Sequence, residues 1–179
     1  MKISSREITT MGLLIALSII LTRILSLRIA IGGVEGVRIG LGKLPIILGG
    51  ILFGPLIGGL IGAFSDLLGY FIIPMGPYLP QITLTYALSG IIPATILILM
   101  KNDKPNVFEL GISIAIGQII TSMMITYFLS ILNNYSWVES WTVLILPRII
   151  AEPIHIFIYT YIINLILKRK ILTFNSKKI

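Results

Sequence analysis

The sequence predicts an all-α integral membrane protein, a bundle of six transmembrane helices with both termini in the cytoplasm. Apolar residues make up 56% of the 179-residue chain and charged residues only 12%, whereas soluble domains carry roughly 25% charged residues. The apolar residues fall into six runs, and all but the second approach the roughly 20 residues that a helix needs to cross a bilayer. Lysine and arginine cluster at both ends of the chain and in one internal loop, a pattern typical of cytoplasmic segments.

Each predicted helix ends where the apolar pattern breaks. The third run, for example, ends at "PMGPYLP", whose prolines and glycine cannot continue a helix. The second run is short and stops at Gly54-Pro55. We expect residues 1–179 to form a single membrane domain, with helices at residues 5–27, 43–53, 55–73, 82–100, 107–132 and 141–168.

The basic residues also predict the orientation of the chain. An N-terminus inside the cell places these residues in the cytoplasm: Lys2, Arg6, Lys101, Lys104, Lys168, Arg169, Lys170, Lys177 and Lys178. The outer loops "PMGPYLPQ" and "NNYSWVESW" then contain no lysine or arginine. We read the net charge of +7 as an orientation signal rather than a nucleic-acid signal. We expect a multi-pass protein of the cell membrane, namely of the bacterial plasma membrane.

A glycine-rich stretch, "GGVEGVRIGLGKLP" at residues 32–45, resembles a phosphate-binding loop but lacks its spacing. A P-loop has glycine five positions before its Gly-Lys pair and Ser or Thr after it, where this chain has Val37 and Leu44. A dinucleotide fingerprint fails as well, because Pro45 replaces the third glycine. With no cysteine and one histidine, the chain also offers no catalytic or metal-binding cluster. We expect no enzyme activity, no cofactor and no metal.

The same stretch lies in the first outer loop and breaks the charge rule with Arg38 and Lys43. These cations either contact lipid phosphates at the headgroup level or line a site for an anionic solute. The break in the rule favours a solute site for Arg38. For Lys43, at the start of a helix, both interpretations stay open.

The last predicted helix carries Arg148, Glu152, His155 and Tyr159 at positions i, i+4, i+7 and i+11. This spacing places all four on one helix face, and ionisable residues within a membrane segment need a partner or a function. They form either a structural Arg148–Glu152 pair with a hydrogen-bonded histidine, or one wall of a solute pocket. In a pocket, Arg148 would lie nearest the outer mouth and would converge with Arg38.

Other polar and aromatic residues lie at the outer ends of the runs. Asp66, inside the third run, either neutralises one of the cations Arg38 and Arg148 or caps a break in the backbone. The aromatic residues form an interfacial belt or stack on a flat solute ring, with Gln81 and Thr83 as possible hydrogen-bond partners. These aromatic residues are Tyr70, Tyr78, Trp137 and Trp141.

Small residues four apart let helices approach closely. The first helix has Gly12 and Ala16 in this relation, and the third has Gly54, Gly58 and Gly62. Such a face serves either internal packing or docking of another membrane protein.

Two segments resemble a known family. Residues 38–80, "RIGLGKLPIILGGILFGPLIGGLIGAFSDLLGYFIIPMGPYLP", resemble the folate-family substrate-binding S component of energy-coupling factor (ECF) vitamin transporters, and "LPRIIAEPIHIFIYTYII" resembles the last helix of that family. The resemblance implies six helices whose first and third outer loops close over a vitamin. It also implies a transmembrane coupling subunit and two ATP-binding subunits as partners. The family's coupling motif is usually two alanines four apart, where this chain has Gly12 and Ala16.

The resemblance implies folate as the ligand and assigns roles to the candidate residues. Arg38 and Arg148 would bind the carboxylates of the glutamate tail. The ring end would involve Tyr70, Tyr78, Gln81 and Trp141, and Glu152 and His155 complete the expected substrate-binding set. Gly12 and Ala16 would dock the coupling subunit.

Two alternatives remain open from the sequence. One is the same scaffold with another vitamin as its ligand, such as a different pterin or a thiamine precursor, since helix motifs determine the fold better than the cargo. A self-sufficient ion-coupled carrier is the other alternative, and it would require Asp66 or Glu152.

Overall fold

The computed structural model describes residues 5–31, 34–74, 77–101, 105–132, 134–136, 138 and 140–168. Trp137 lies outside this part of the chain. The described elements, in chain order, are α1 (Ser5–Ile19), which continues as a π-helix (Ile20–Ile24), β1 (Leu27–Ile31), β2 (Val34–Ile39), α2 (Lys43–Phe53), α3 (Pro55–Ile72), α4 (Pro80–Leu99), α5 (Val107–Leu132), and a second π-helix (Ser140–Ile145) that leads into α6 (Leu146–Lys168).

The predicted helical membrane fold is confirmed. Within the part of the chain that the structure describes, five helical segments are long and apolar enough to cross a membrane: Glu7–Ile24, Pro55–Ile72, Pro80–Leu99, Val107–Leu132 and Ser140–Lys168. The sixth helix, α2, is shorter, and residues 44–52 of it are all buried. A fully apolar helix that is buried on every side belongs in the centre of a bundle. Accordingly α2 contacts α1, α3 and α4, and it reaches α6.

Close glycine contacts hold this centre together. A Cβ atom at Gly50 would overlap the carbonyl oxygen of Gly90, and one at Gly58 would overlap the backbone of Gly50. Gly62 packs in the same way against the backbone of α4 at Tyr86. The small residues of α3 therefore serve internal packing. Gly54 instead marks the break between α2 and α3, where its φ of 96° is a conformation that glycine adopts more easily than other residues.

The connector between α1 and α2 contains a two-stranded antiparallel hairpin, β1–β2, in addition to the predicted helices. In its register Arg28 pairs with Arg38 and Ile29 with Val37, and a bulge follows at Ile29/Ala30. Strand β2 contacts both α6 and the π-helix before it. The hairpin therefore lies beside the last transmembrane segment.

Candidate functional site

A cavity of about 210 Å³ lies where the end of α1, the start of α2, α4, α5 and α6 meet. Its wall is formed by Thr22 in the π-helix that continues α1, by Ser26 just after it, by Gly40 and Gly42 from the connector, by Lys43 at the start of α2, and by side chains of the three later helices. The connector between α1 and α2 and the last helix thus both contribute to one cavity wall.

The polar face predicted on the last helix lines this cavity. Arg148, Glu152, His155 and Tyr159 are all on its wall. The 3.6-residue period accounts for this arrangement, since α6 packs against α5 and turns one face towards the bundle. Of the two interpretations of this face, the structure favours the pocket wall. Contact with a substrate stays a prediction.

Glu152 is held by one hydrogen bond and keeps one unused oxygen. Its Oε1 accepts a hydrogen bond of 2.8 Å from Ser122 Oγ on α5. Its Oε2 is buried without a hydrogen-bond partner among the described residues, and the same is true of His155 Nε2. Buried polar atoms are nearly always hydrogen-bonded in folded proteins. Two such atoms on side chains of one cavity wall point to a ligand with polar groups.

The cations of the wall come from two elements. Arg148 donates a hydrogen bond to Thr126 Oγ1 on α5. Lys43, the first residue of α2, donates from Nζ to Gln118 Oε1 at 3.0 Å and to Thr121 Oγ1 at 3.4 Å. An ammonium group has three N–H donors, so these two contacts leave one for a ligand. Of the two interpretations of Lys43, the structure favours a solute site over a lipid contact, because Lys43 lines the cavity.

Gln118 and Ser122 on α5 were not predicted as site residues. Gln118 is 2% exposed and lines the cavity together with Ser122. Both lie in a long apolar helix whose sequence shows only a weak periodicity, and neither is charged. Their four-residue spacing, which places them on one helix face, is the only signal that could have identified them.

The connector glycines 40 and 42 are packed closely against α1 rather than being free of contacts. A Cβ atom at Gly42 would overlap Thr22 Oγ1, and one at Gly40 would lie 2.8 Å from Ser26 Cβ. Ser18 Oγ also donates a hydrogen bond of 2.7 Å to the Gly42 carbonyl oxygen. The absence of side chains at these positions therefore lets the connector lie directly on the end of α1.

Arg38 is placed by its backbone position in β2, two residues before the cavity-lining Gly40. Strand β2 contacts α6 and its preceding π-helix, so the elements that carry Arg38 and Arg148 are neighbours. The predicted convergence of the two arginines is consistent with this arrangement of the backbone and stays a prediction.

Four other predicted site residues are not on the cavity wall. Tyr70 and Tyr78 pair with each other, with ring centroids 5.2 Å apart. Gln81 has a buried Oε1 without a hydrogen-bond partner among the described residues. Trp141 is 43% exposed. Their proposed contact with the ring of a ligand stays a prediction, and the cavity as it stands is lined without them.

Asp66 pairs with Arg23, which was not among the predicted partners. Its Oδ1 lies 3.3 Å from Arg23 Nη2, and both side chains are less than 10% exposed. Asp66 Oδ2 accepts a hydrogen bond of 2.7 Å from Thr83, whose hydroxyl lies 3.0 Å from that of Tyr78. The expectation that Asp66 neutralises Arg38 or Arg148 is therefore corrected: it links the end of α1 to α3 and α4.

Gly12 and Ala16 lie on an exposed face of α1. A Cβ atom at Gly12 would meet nothing within 4 Å. Around these two small residues the exposed side chains are apolar, among them Ile8, Leu13, Leu17 and Ile20. Within the described chain this face is not used for packing, so it is available to lipid or to another protein.

Comparison with known proteins assigns the chain to a family. Residues 2–172 match the sequence model of the family described as "ECF-type riboflavin transporter, S component". The "Folate transporter FolT" of Clostridium novyi (strain NT) is 32% identical over 154 residues, which are 86% of this chain and 83% of that protein.

Solved structures share the fold. A structure described as FolT bound with folic acid has a TM-score of 0.72 at 22% identity, over 90% of this chain and 91% of the other. The S component of a bacterial ECF transporter has a TM-score of 0.57 at 21% identity, over 92% and 95% of the two chains. The chain thus belongs to the family of S components of ECF-type transporters, and it is a membrane protein of a transport system.

Proposed function

We propose that this chain is the folate-binding S component of an ECF-type vitamin importer, which captures folate outside the cell and delivers it with an energising module. The observation that carries this proposal is the cavity wall. It joins two cations, Lys43 and Arg148, to Glu152 and His155, each of which has one buried polar atom without a hydrogen-bond partner among the described residues. A site of this kind suits a ligand that has both carboxylates and ring nitrogens.

The charge of the wall favours an anionic ligand. Lys43 and Arg148 against Glu152 leave one net positive charge when His155 is neutral. Folate carries two carboxylates on its glutamate tail, and a cation in a site of low dielectric is stabilised by such a partner. Riboflavin, which is named by the matching family, is uncharged and would leave this positive charge without a counterion.

The hairpin adds a second group of cations. Arg28 and Arg38 are directly opposite each other in the β1–β2 register. Two arginines at paired backbone positions of the hairpin suit an anionic ligand better than a neutral one. Because β2 contacts α6, the glutamate tail would lie between the hairpin and Arg148.

The size of the cavity also supports a placement of the ring and the tail of folate in different parts of the site. Pockets that enclose drug-sized ligands measure roughly 300–1,000 Å³, whereas this cavity measures about 210 Å³. A bicyclic pterin ring is compact enough for a cavity of this size. The ring would therefore occupy the cavity, and the tail would extend to its mouth under the first outer connector.

The proposed partners are a transmembrane coupling subunit and two ATP-binding subunits. The exposed apolar face of α1 around Gly12 and Ala16 would dock the coupling subunit, because small residues permit close approach of a second helix. In this arrangement both termini lie in the cytoplasm and the cavity opens to the outside of a bacterial plasma membrane. The chain itself would bind and deliver the vitamin without catalysing a reaction.

Riboflavin is the second candidate ligand, since it is the vitamin in the description of the matching family. The experiment that separates the candidates is purification of the chain in mild detergent without added vitamin, followed by mass spectrometry of the released small molecules. Co-purified folate supports the proposal, whereas riboflavin or a thiamine precursor overturns the choice of ligand. Uptake by liposomes that contain this chain alone, driven by a sodium or proton gradient, would instead indicate an ion-coupled carrier.

A further inference from the structure

The side chain of Glu152 has a position and a hydrogen-bonding state that suit one particular part of a pterin. It lies in the centre of the polar face of α6, between Arg148 and His155 in sequence, and it lines the cavity. Ser122 Oγ fixes the carboxylate by donating to Oε1 at 2.8 Å. The other oxygen, Oε2, is buried without a partner among the described residues.

A carboxylate held in this way requires N–H or O–H donors from the ligand. An ionised carboxylate is an acceptor only, with about four lone-pair sites on its two oxygens. Ser122 occupies one of these sites. Leaving the others empty in a buried position is costly, because an unsatisfied charged group loses its hydration without compensation.

Vitamin rings differ in the donors that they can present to such a group. The pyrimidinone ring of a pterin has its 2-amino group next to N3–H, so two N–H bonds point in the same direction and match the two oxygens of a carboxylate. In a flavin or in a 2,4-dioxopteridine, N3–H is flanked by carbonyl oxygens on both sides. These oxygens would be brought against the negative charge of the carboxylate.

We infer that Glu152, oriented by Ser122, is the specificity-determining residue that selects a 2-amino-4-oxopyrimidine ring over a 2,4-dioxo ring. This inference rests on the proposed function and adds to it the chemical feature of the vitamin that is recognised. Sites built to hydrogen-bond one group reject an analogue without it because their own polar atoms are then left unpaired.

The test compares folic acid with its 2-deamino-2-oxo analogue, which differs only at the position that Glu152 would bind. Isothermal titration of the purified wild-type chain should give an affinity for folic acid about 100-fold or more above that for the analogue. In Glu152→Gln the amide oxygen can accept from the 2-amino group of folic acid, and the amide N–H can donate to the 2-oxo group of the analogue. The ratio of the two affinities should therefore fall below about tenfold. Glu109→Gln is the matched control, because Glu109 lies at the start of α5 and is not on the cavity wall, and it should keep the wild-type ratio.

The outcomes separate this inference from the proposed function. If folic acid binds the wild type but the ratio is unchanged in Glu152→Gln, the role of Glu152 is refuted while folate binding stands. If the wild type binds both ligands equally, the role of Glu152 is refuted. This result needs no variant, so the test holds even if Glu152→Gln does not fold. If the wild type binds neither ligand, the proposed function fails and the inference fails with it.

Discussion

Tyr159 Oη donates a hydrogen bond of 2.9 Å to the carbonyl oxygen of Gly40, across 119 positions of the sequence. This bond joins α6 to the end of the connector between α1 and α2 at the cavity wall. The ring of Tyr159 is stacked on His155, with an interplanar angle of 14° and centroids 5.7 Å apart. The same residue therefore holds the connector in place and supports the polar face that would contact the ligand.

Replacing Tyr159 by phenylalanine should loosen the connector where it is bonded to α6. A hydrogen bond of this type contributes about 0.5–1.5 kcal/mol, so we expect folic acid to dissociate roughly two- to tenfold faster from Tyr159→Phe. Stopped-flow fluorescence measures the rate. Tyr161→Phe is the control, because Tyr161 is on the same helix but is 56% exposed. Equal dissociation rates for Tyr159→Phe and the wild type would show that this bond does not retain the ligand.

Arg38→Ala and Arg148→Ala should each lower the affinity for folic acid at least about tenfold, which corresponds to about 1.4 kcal/mol. The reason is the loss of a guanidinium partner for the glutamate tail. Titration of the purified variants measures the effect. Lys101→Ala, a change of a basic residue beyond the end of α4, should leave the affinity unchanged. Wild-type affinity in both arginine variants would refute the assignment of these residues to the tail.

Asp66→Ala should destabilise the fold while leaving the ligand affinity within about threefold of the wild type. Removing one partner of a buried ion pair costs about 3–5 kcal/mol, because the other charge stays buried. Arg23 and Asp66 are both largely buried, and Asp66 is not on the cavity wall. Thermal unfolding in detergent measures the stability.

The double variant Arg23→Met/Asp66→Leu serves as the control for this pair, since it removes both charges and should recover most of the stability. A stable Asp66→Ala variant that no longer binds or transports its ligand would contradict a structural role. That result would favour the ion-coupled carrier, which needs an acid at this position or at Glu152.

Gly12→Trp should abolish transport by the complete importer without reducing folate binding to the isolated chain. The indole would project from an exposed face where nothing lies within 4 Å, so the fold has room for it, but a docked helix does not. Uptake by cells or proteoliposomes with the full set of subunits measures transport. Gly12→Ala is the control and should transport normally, since a single methyl group keeps the residue small enough for a docked helix. Normal transport by Gly12→Trp would place the docking surface elsewhere.

The sequence predicted the helices and the polar face of α6 because both depend on local periodicity. Arg148, Glu152, His155 and Tyr159 share a face by their spacing alone, and the packing of α6 against α5 then turns that face into the cavity. By contrast, the partner of Asp66 could not be predicted. Arg23 lies in the first apolar run, and the contact depends on how α1 and α3 are arranged in space.

The hairpin and the role of α5 were also missed, for different reasons. The segments "LRIAI" and "VEGVRI" are rich in β-branched residues around a Gly-Gly pair, which is a hairpin signal, but the glycines were interpreted as those of a loop. Gln118 and Ser122 are uncharged residues in an apolar helix, and only the tertiary structure shows that they meet Lys43 and Glu152.

Calorimetric titration of the purified wild-type chain with folic acid and, separately, with riboflavin tests the central claim most directly. We predict one folic acid bound per chain with a Kd of about 1 μM or lower, corresponding to about −8.2 kcal/mol, and no heat of binding with riboflavin. Tight binding of riboflavin together with no binding of folic acid would contradict the account.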